Sequence, residues 1–248
     1  DGTRWSGGGI GGLFHHRDGV FVHRPEVAGA NVVAIAEAGD GRLFVATDVG
    51  TQMRHGGGFV PVDDERLRRL KMLQRGRSGA VYGSDGHQLL RLDADGPVPL
   101  AVGDVRCVAE VGGHLVVGTG SGLHRLVDGT LRPWRPAPGL DQSVLTLCEA
   151  RDGALWIGTW MRTHRVGRSL VASGLDADPR DPAPITPAHA MQSTRSLCED
   201  REGGMWAGYT EGGATRFRAA DVMAHGLASG LPKRNLAAAS GDGTGGLL

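Results

Sequence analysis

The stretch Val144–Thr159, VLTLCEARDGALWIGT, decides how the chain is read. Val144, Thr146 and Cys148 alternate with Leu145, Leu147 and Glu149, the period of two expected of a strand. Asp152-Gly153 follows, a dipeptide that tolerates the positive φ of a tight hairpin turn. Leu155-Trp156-Ile157 is then a short apolar strand, closed by Gly158-Thr159. A single hairpin is marginal in water because it cannot bury its own faces. The segment therefore calls for partners, and the chain supplies copies of it.

Val32–Thr47 (VVAIAEAGDGRLFVAT) repeats the pattern with Phe44 in the place of Trp156. Thr194–Tyr209 (TRSLCEDREGGMWAGY) repeats it with Trp206. Val105–Thr119 (VRCVAEVGGHLVVGT) is a copy shortened at the turn, and Leu70–Ser84 is a degenerate one. The chain opens inside a copy that carries Trp5 and closes inside another, Leu236–Leu248. The turns recur about every 40 residues, a period that belongs to propellers with four strands per unit. After each hairpin come a Gly-rich turn, a third strand, a second turn such as Asp18-Gly19 or Asp128-Gly129, and a fourth strand. The expected fold is all-β, a propeller of four-stranded antiparallel blades over residues 1–248, with about six blades represented. Its units are a partial blade at 1–30, repeats starting near 31, 69, 105, 144 and 194, and a partial blade at 236–248. The two partial pieces match in register, so a ring closed on itself and an arc of a larger array both stay open.

Composition narrows the function. Glycine is 42 of 248 residues, and its fixed places in the repeat make it a turn former. Lys plus Arg equals Asp plus Glu at 27 each, so no net field draws nucleic acid or an anionic membrane. The three cysteines are odd in number and lack CxxC spacing, which implies neither a disulfide framework nor a zinc site. Cys148 and Cys198 hold one repeat position and read as packing residues. No apolar run reaches the roughly 18 residues of a membrane span, so any membrane attachment is expected from segments outside this stretch. His15 and His16 face opposite sides of a strand, the histidines show no ligand spacing, and no metal or cofactor is expected. The G-x-G-x-x-G matches at 7–12 and 241–246 fall at repeat turns without the following helix a nucleotide needs. Asp64–Arg77, with Glu65, Arg66, Arg68 and Arg69, reads as a link between blades, and Gly174–Gln192, rich in proline, as the longest linker.

Arg195–Phe217, RSLCEDREGGMWAGYTEGGATRF, resembles the two-component regulator propeller repeat. Asp178-Pro179-Arg180-Asp181-Pro182 resembles that family's linker, and Gly226–Gly230 its lead-in. The resemblance implies the extracytoplasmic or periplasmic sensing part of a bacterial receptor whose output is a histidine kinase or diguanylate cyclase module. It implies a small-molecule or glycan ligand, a homodimer in the full-length receptor, and no catalysis in this segment.

Four-stranded alternation puts the turns between second and third strands on one rim with the blade-to-blade links. Loops on a rigid scaffold are where ligands dock. Trp160-Met161-Arg162-Thr163-His164 spends bulky side chains where its siblings use glycine. Trp160, for stacking, Arg162, for pairing with an anion or hydroxyls, and His164 are the leading candidates, with Asp48, His87 and Glu211 at comparable turns. Two other readings stand beside this one. The first is a lyase resembling streptogramin lyase, with His87 or His164 as base and a bound cation. The second is a protein-interaction platform.

Overall fold

Among the described residues, six antiparallel sheets follow one another along the chain. The computed structural model describes residues 4–7, 12–27, 30–136, 139–168 and 193–217. Blade 1 holds β1 (Arg4–Gly7), β2 (Leu13–Arg17) and β3 (Val20–Arg24). Blade 2 holds β4 (Val32–Glu37), β5 (Leu43–Thr47), β6 (Gly50–His55) and β7 (Gly58–Pro61). Blade 3 holds β8 (Met72–Arg75), β9 (Val81–Ser84), β10 (Gln88–Asp93) and β11 (Gly96–Val102). Blade 4 holds β12 (Cys107–Val111), β13 (His114–Thr119), β14 (Gly122–Val127) and β15 (Thr130–Pro133). Blade 5 holds β16 (Val144–Glu149), β17 (Leu155–Thr159) and β18 (Thr163–Val166). Blade 6 holds β19 (Thr194–Glu199), β20 (Met205–Tyr209) and β21 (Ala214–Phe217). Strands adjacent in sequence are adjacent in every sheet, which is the meander of a propeller blade. Leu236–Leu248 and the proline-rich linker lie outside the described residues.

The repeat residues explain the turns. In the first hairpins of blades 2, 5 and 6 the glycine alone takes positive φ: Gly41 at 85°, Gly153 at 81° and Gly203 at 82°. In blades 2 and 5 the preceding aspartate stays out of that region and accepts a backbone N–H instead, Asp40 from Arg42 at 3.1 Å and Asp152 from Ala154 at 2.9 Å, and in blade 6 Asp200 accepts Glu202 N at 3.1 Å. The Asp-Gly pairs after the third strands behave differently. Asp18 (52°) and Gly19 (83°), like Asp128 (48°) and Gly129 (73°), both go positive, the type I′ pattern of a two-residue hairpin. A hydroxyl closes the turn after the second strand: Thr47 donates to Gly50 O at 2.7 Å, Thr119 to Gly122 O at 3.0 Å and Thr159 to Arg162 O at 3.0 Å. The strict alternation expected for Val144–Glu149 is broken once, by a register shift between Val144 and Thr146 that recurs at Val32/Ala34 and Thr194/Ser196. A bulge at the same place in three inner strands is a device for bending them around the axis.

Blades pack face to face through the second strand. Trp5 meets Phe59 of blade 2 edge-on at 5.5 Å, and Trp156 meets Phe217 of blade 6 at 5.4 Å. Phe44 is 3% exposed, in a cluster with Leu73, Val81 and Leu90 of blade 3. Glycine at the end of the second strand lets the next blade approach. A Cβ on Gly158 would lie 2.8 Å from Thr194 O, and one on Gly118 2.7 Å from Val144 Cγ1. Glu65–Leu67 makes one 3₁₀ turn in the link before blade 3, and Asp64 Oδ1 caps it by accepting Arg66 N at 2.9 Å.

Candidate functional site

The inner strands β8, β12, β16 and β19 leave one edge each without a sheet partner, and these edges face one another around the axis. Gln74 on β8 spans the gap. Its amide donates to Leu147 O on β16 at 3.1 Å, and its carbonyl accepts Val108 N on β12 at 3.1 Å. One side chain thus ties three successive blades. Arg77 crosses the same space and reaches Glu149 Oε1 at 2.9 Å.

Above this tie the axis widens into a cavity of about 350 Å3. Its lining includes Gln74, Arg75, Arg77, Glu110, Glu149 and Arg151, with Leu147, Cys148 and Leu197 as its apolar part. Repeat logic accounts for the acids, since Glu110, Glu149 and Glu199 share one position at the end of the inner strand. Glu110 and Glu199 each accept from the first hairpin turn of the preceding blade. Glu110 accepts Ser78 N at 2.6 Å, Ser78 Oγ at 2.6 Å and Tyr82 Oη at 2.6 Å. Burial would raise its carboxyl pKa, but these donors outweigh burial and hold it below the usual range. Burial first, and then Glu110, push the Tyr82 hydroxyl up. Glu199 accepts Arg151 N at 2.9 Å.

Glu149 has no such donor. The blade before it is the one with the shortened turn, a two-residue loop of Gly112 (57°) and Gly113 (81°). The residue whose N–H would reach Glu149 is missing there. Glu149 Oε2 is buried and accepts no hydrogen bond, while Arg77 holds Oε1. The shortened turn therefore does two things at once: it opens room at the axis and leaves an acceptor aimed at nothing. Burial raises the neighbouring Cys148 thiol to about 11, so it stays protonated and unreactive at neutral pH.

The rim candidates sit at the other end of the inner strands. Asp48 is occupied: Oδ1 accepts Asn31 N at 2.9 Å and Oδ2 accepts Asn31 Nδ2 at 2.6 Å, locking the turn to the strand that opens its blade. Trp160 is 48% exposed, and the Arg195 guanidinium lies over its ring at 4.9 Å. Arg162 is exposed in the same turn, its backbone carbonyl held by Thr159. His164 points inward: it is 3% exposed and neither ring nitrogen has a hydrogen-bond partner. Burial, with the charge of Arg162, pulls its pKa down to about 4. His87 and Glu211 are exposed on turns of blades 3 and 6. The structure brings Trp160 and Arg162 together on one turn and leaves Asp48, His87 and Glu211 on separate blades. The cavity residues escaped the sequence reading, although the shortened turn before β13 was their visible signal.

Residues 138–161 match the family model described as two component regulator propeller. The match covers one hairpin of blade 5 and the link that precedes it. That segment holds Leu147, Cys148, Glu149 and Arg151 of the cavity. No curated protein matches in sequence. Among solved structures the chain is similar to the extracellular domain of a hybrid two component system from B. thetaiotaomicron, with a TM-score of 0.63 and 18% identity over 85% of this chain. The chain spans 31% of that structure. It is also similar to a streptogramin B lyase (TM-score 0.62, 12% identity, 84% of this chain and 76% of that one). A virginiamycin B lyase from Staphylococcus aureus, a catalytically inactive H270A form with quinupristin, follows at TM-score 0.55 and 13% identity, over 76% of this chain and 70% of that one. At these identities the likeness is one of fold. Among the described residues no helix is long and apolar enough to cross a membrane, and no group of three or more His, Cys, Asp or Glu could hold a metal ion.

Proposed function

We propose that this chain is a non-enzymatic sensing propeller of a bacterial two-component receptor, placed outside the cytoplasm, which binds a small polar molecule at its axis. One observation carries the reading: the segment that matches the two component regulator propeller, residues 138–161, is also the one that contributes Glu149 and its unfilled acceptor to the axial cavity. A buried carboxylate oxygen without a donor is costly, and a ligand hydroxyl or ammonium would relieve it. The arginines at the mouth favour ligands that also carry acceptors. A volume of about 350 Å3 sits at the small end of ligand pockets, suited to a sugar- or amino-acid-sized molecule.

Such a ligand also has a route to the scaffold. Arg77 and Gln74 join blades 3, 4 and 5 through the same space. A donor on Glu149 Oε2 shares the carboxylate that Arg77 holds through Oε1 and so alters how those blades are tied, and differential binding of that kind can bias a module downstream. The exposed turn of Trp160 and Arg162 is a second contact surface on the opposite rim. The lyase reading gains no support from His164, which is buried without an acid partner.

Isothermal titration with panels of monosaccharides, amino sugars and amino acids tests the proposal. The expected result is saturable binding by one class, weakened at least tenfold by Glu149→Gln with the fold retained. Absence of heat and of thermal stabilisation across all panels would overturn it.

A further inference from the structure

The residues that end the inner strands change sign once around the axis. Glu37 pairs with Leu43, Glu149 with Leu155 and Glu199 with Met205, each the first residue of its blade's second strand. Glu110 shares the position in blade 4, paired with Leu115. In blade 3 the same place belongs to Arg75, paired with Val81. A basic residue therefore stands where the other inner strands carry acids, and it lines the same axial cavity as Glu110 and Glu149.

Most charges around this cavity are committed. Glu110 is filled by Ser78 and Tyr82, and Glu199 accepts Arg151 N. The Arg151 guanidinium donates to Asp200 O at 2.7 Å and Arg201 O at 2.9 Å. Arg77 is held by Glu149 Oε1. Two groups of opposite charge are left. One is Glu149 Oε2, buried and without a donor. The other is Arg75, exposed beside Gly79, with no ion pair or side-chain hydrogen bond among the described residues. Their strands are close enough for Gln74, next to Arg75, to reach Leu147 O, two residues before Glu149. Ala109, Leu147 and Leu197 supply an apolar wall.

This pairing selects among small polar molecules by charge. A sugar hydroxyl can serve Oε2 but brings no counter-charge to the guanidinium. An amine answers only the carboxylate, and a carboxylic acid only the arginine. Charge-assisted hydrogen bonds are about twice as strong as neutral ones, and a guanidinium matches a carboxylate in shape. An α-amino acid offers both charges in one headgroup. Taking the axis as the ligand site, as proposed above, we infer that its ligand is a free α-amino acid with an aliphatic side chain. The ammonium donates to Glu149 Oε2, the carboxylate pairs with Arg75, and the side chain lies against Leu147 and Leu197.

Isothermal titration of the full chain with L-valine and L-leucine, their methyl esters, their N-acetyl forms and neutral monosaccharides tests this. The expected result is saturable binding of the free amino acids, weakened at least about tenfold by esterification or acetylation, the loss expected when a hydrogen bond to a charged group is removed. Arg75→Met, at an exposed position, should bring free acid and ester to the same affinity, with the fold retained by circular dichroism. Arg75→Lys should restore a preference for the acid. Sugars that bind where amino acids do not would overturn the inference and leave the axis as the ligand site, whereas silence from every compound would overturn both. Amino acids bound as tightly after esterification, or an acid preference that survives Arg75→Met, would also overturn it.

Discussion

Blades 5 and 6 carry nearly the same hairpin, yet among the described residues one is sealed by a following blade and the other is not. In blade 5, Trp156 is 7% exposed, Leu155 and Ile157 are fully buried, and Gly158 has no room for a side chain. In blade 6, Trp206 is 42% exposed, and among the described residues a Cβ on Gly208 would meet only Ser196 of its own blade. The local sequence is not what differs. Among the described residues the difference is the presence of a following blade, so the repeated positions of the hairpin acquire their energetic meaning from the neighbour.

The largest test of that contrast is truncation of the ring. Trp156→Ala should cost about 3–5 kcal/mol, the range for emptying a buried aromatic site. Trp206→Ala should cost below about 1.5 kcal/mol in the monomer, since it exposes little new surface. Urea denaturation of both variants measures the gap, and equal losses would break the comparison. Gly158→Ala sharpens it at backbone level. Its new methyl would press on Thr194 O of the next strand, a backbone atom that cannot swing aside, and should cost about 1–3 kcal/mol. At Gly208 the obstacle is a serine hydroxyl that can rotate, so Gly208→Ala should stay within about 1 kcal/mol in thermal melts.

A third test uses pH. His164 is sealed in blade 5, and the corresponding position of blade 6 is Thr215. The folded protein holds His164 neutral down to about pH 4, while the unfolded chain takes up the proton near its ordinary value of 6.5. Its contribution is therefore whole above about pH 6.5 and is lost as pH falls toward 4, with about 2 kcal/mol gone by pH 5. His164→Leu should flatten the stability profile between pH 7 and pH 5 in parallel denaturant titrations. The smallest effect concerns the turn. Thr159→Val removes a hydroxyl that holds Arg162 O and should cost about 1 kcal/mol. The blade 6 turn at Tyr209 closes by backbone bonds to Gly213 and Gly212 alone, so Tyr209→Phe should leave its melting temperature unchanged.

Most of the fold was legible because a propeller writes itself as a period. The spacing of Asp-Gly turns and the Trp156, Phe44 and Trp206 register led to blades of antiparallel strands, and the likeness to the two component regulator propeller followed from the same residues. Three things were less visible. The bulge before Thr146 leaves no signature in an alternating apolar pattern, because inserting one residue into VLTLCE preserves its composition. The Asp-Gly pairs share one spelling but form two turn types, decided by whether the strands they join allow a two-residue loop. The cavity was missed because its logic is relational: Glu149 is left without a donor by a deletion at Gly112-Gly113, one blade earlier in the chain. Sequence reasoning placed its candidates by turn bulk on the opposite rim. It did not distinguish Trp160, which is exposed, from His164, which is buried four residues later.

The claim that each blade is held through the next is tested most directly by a double-mutant cycle between Trp156 and Phe217, whose rings lie 5.4 Å apart across two blades. The account predicts that the two alanine substitutions are less than additive, with a coupling of about 0.5–1.5 kcal/mol from the ring pair. Additive losses, with coupling indistinguishable from zero, would contradict it.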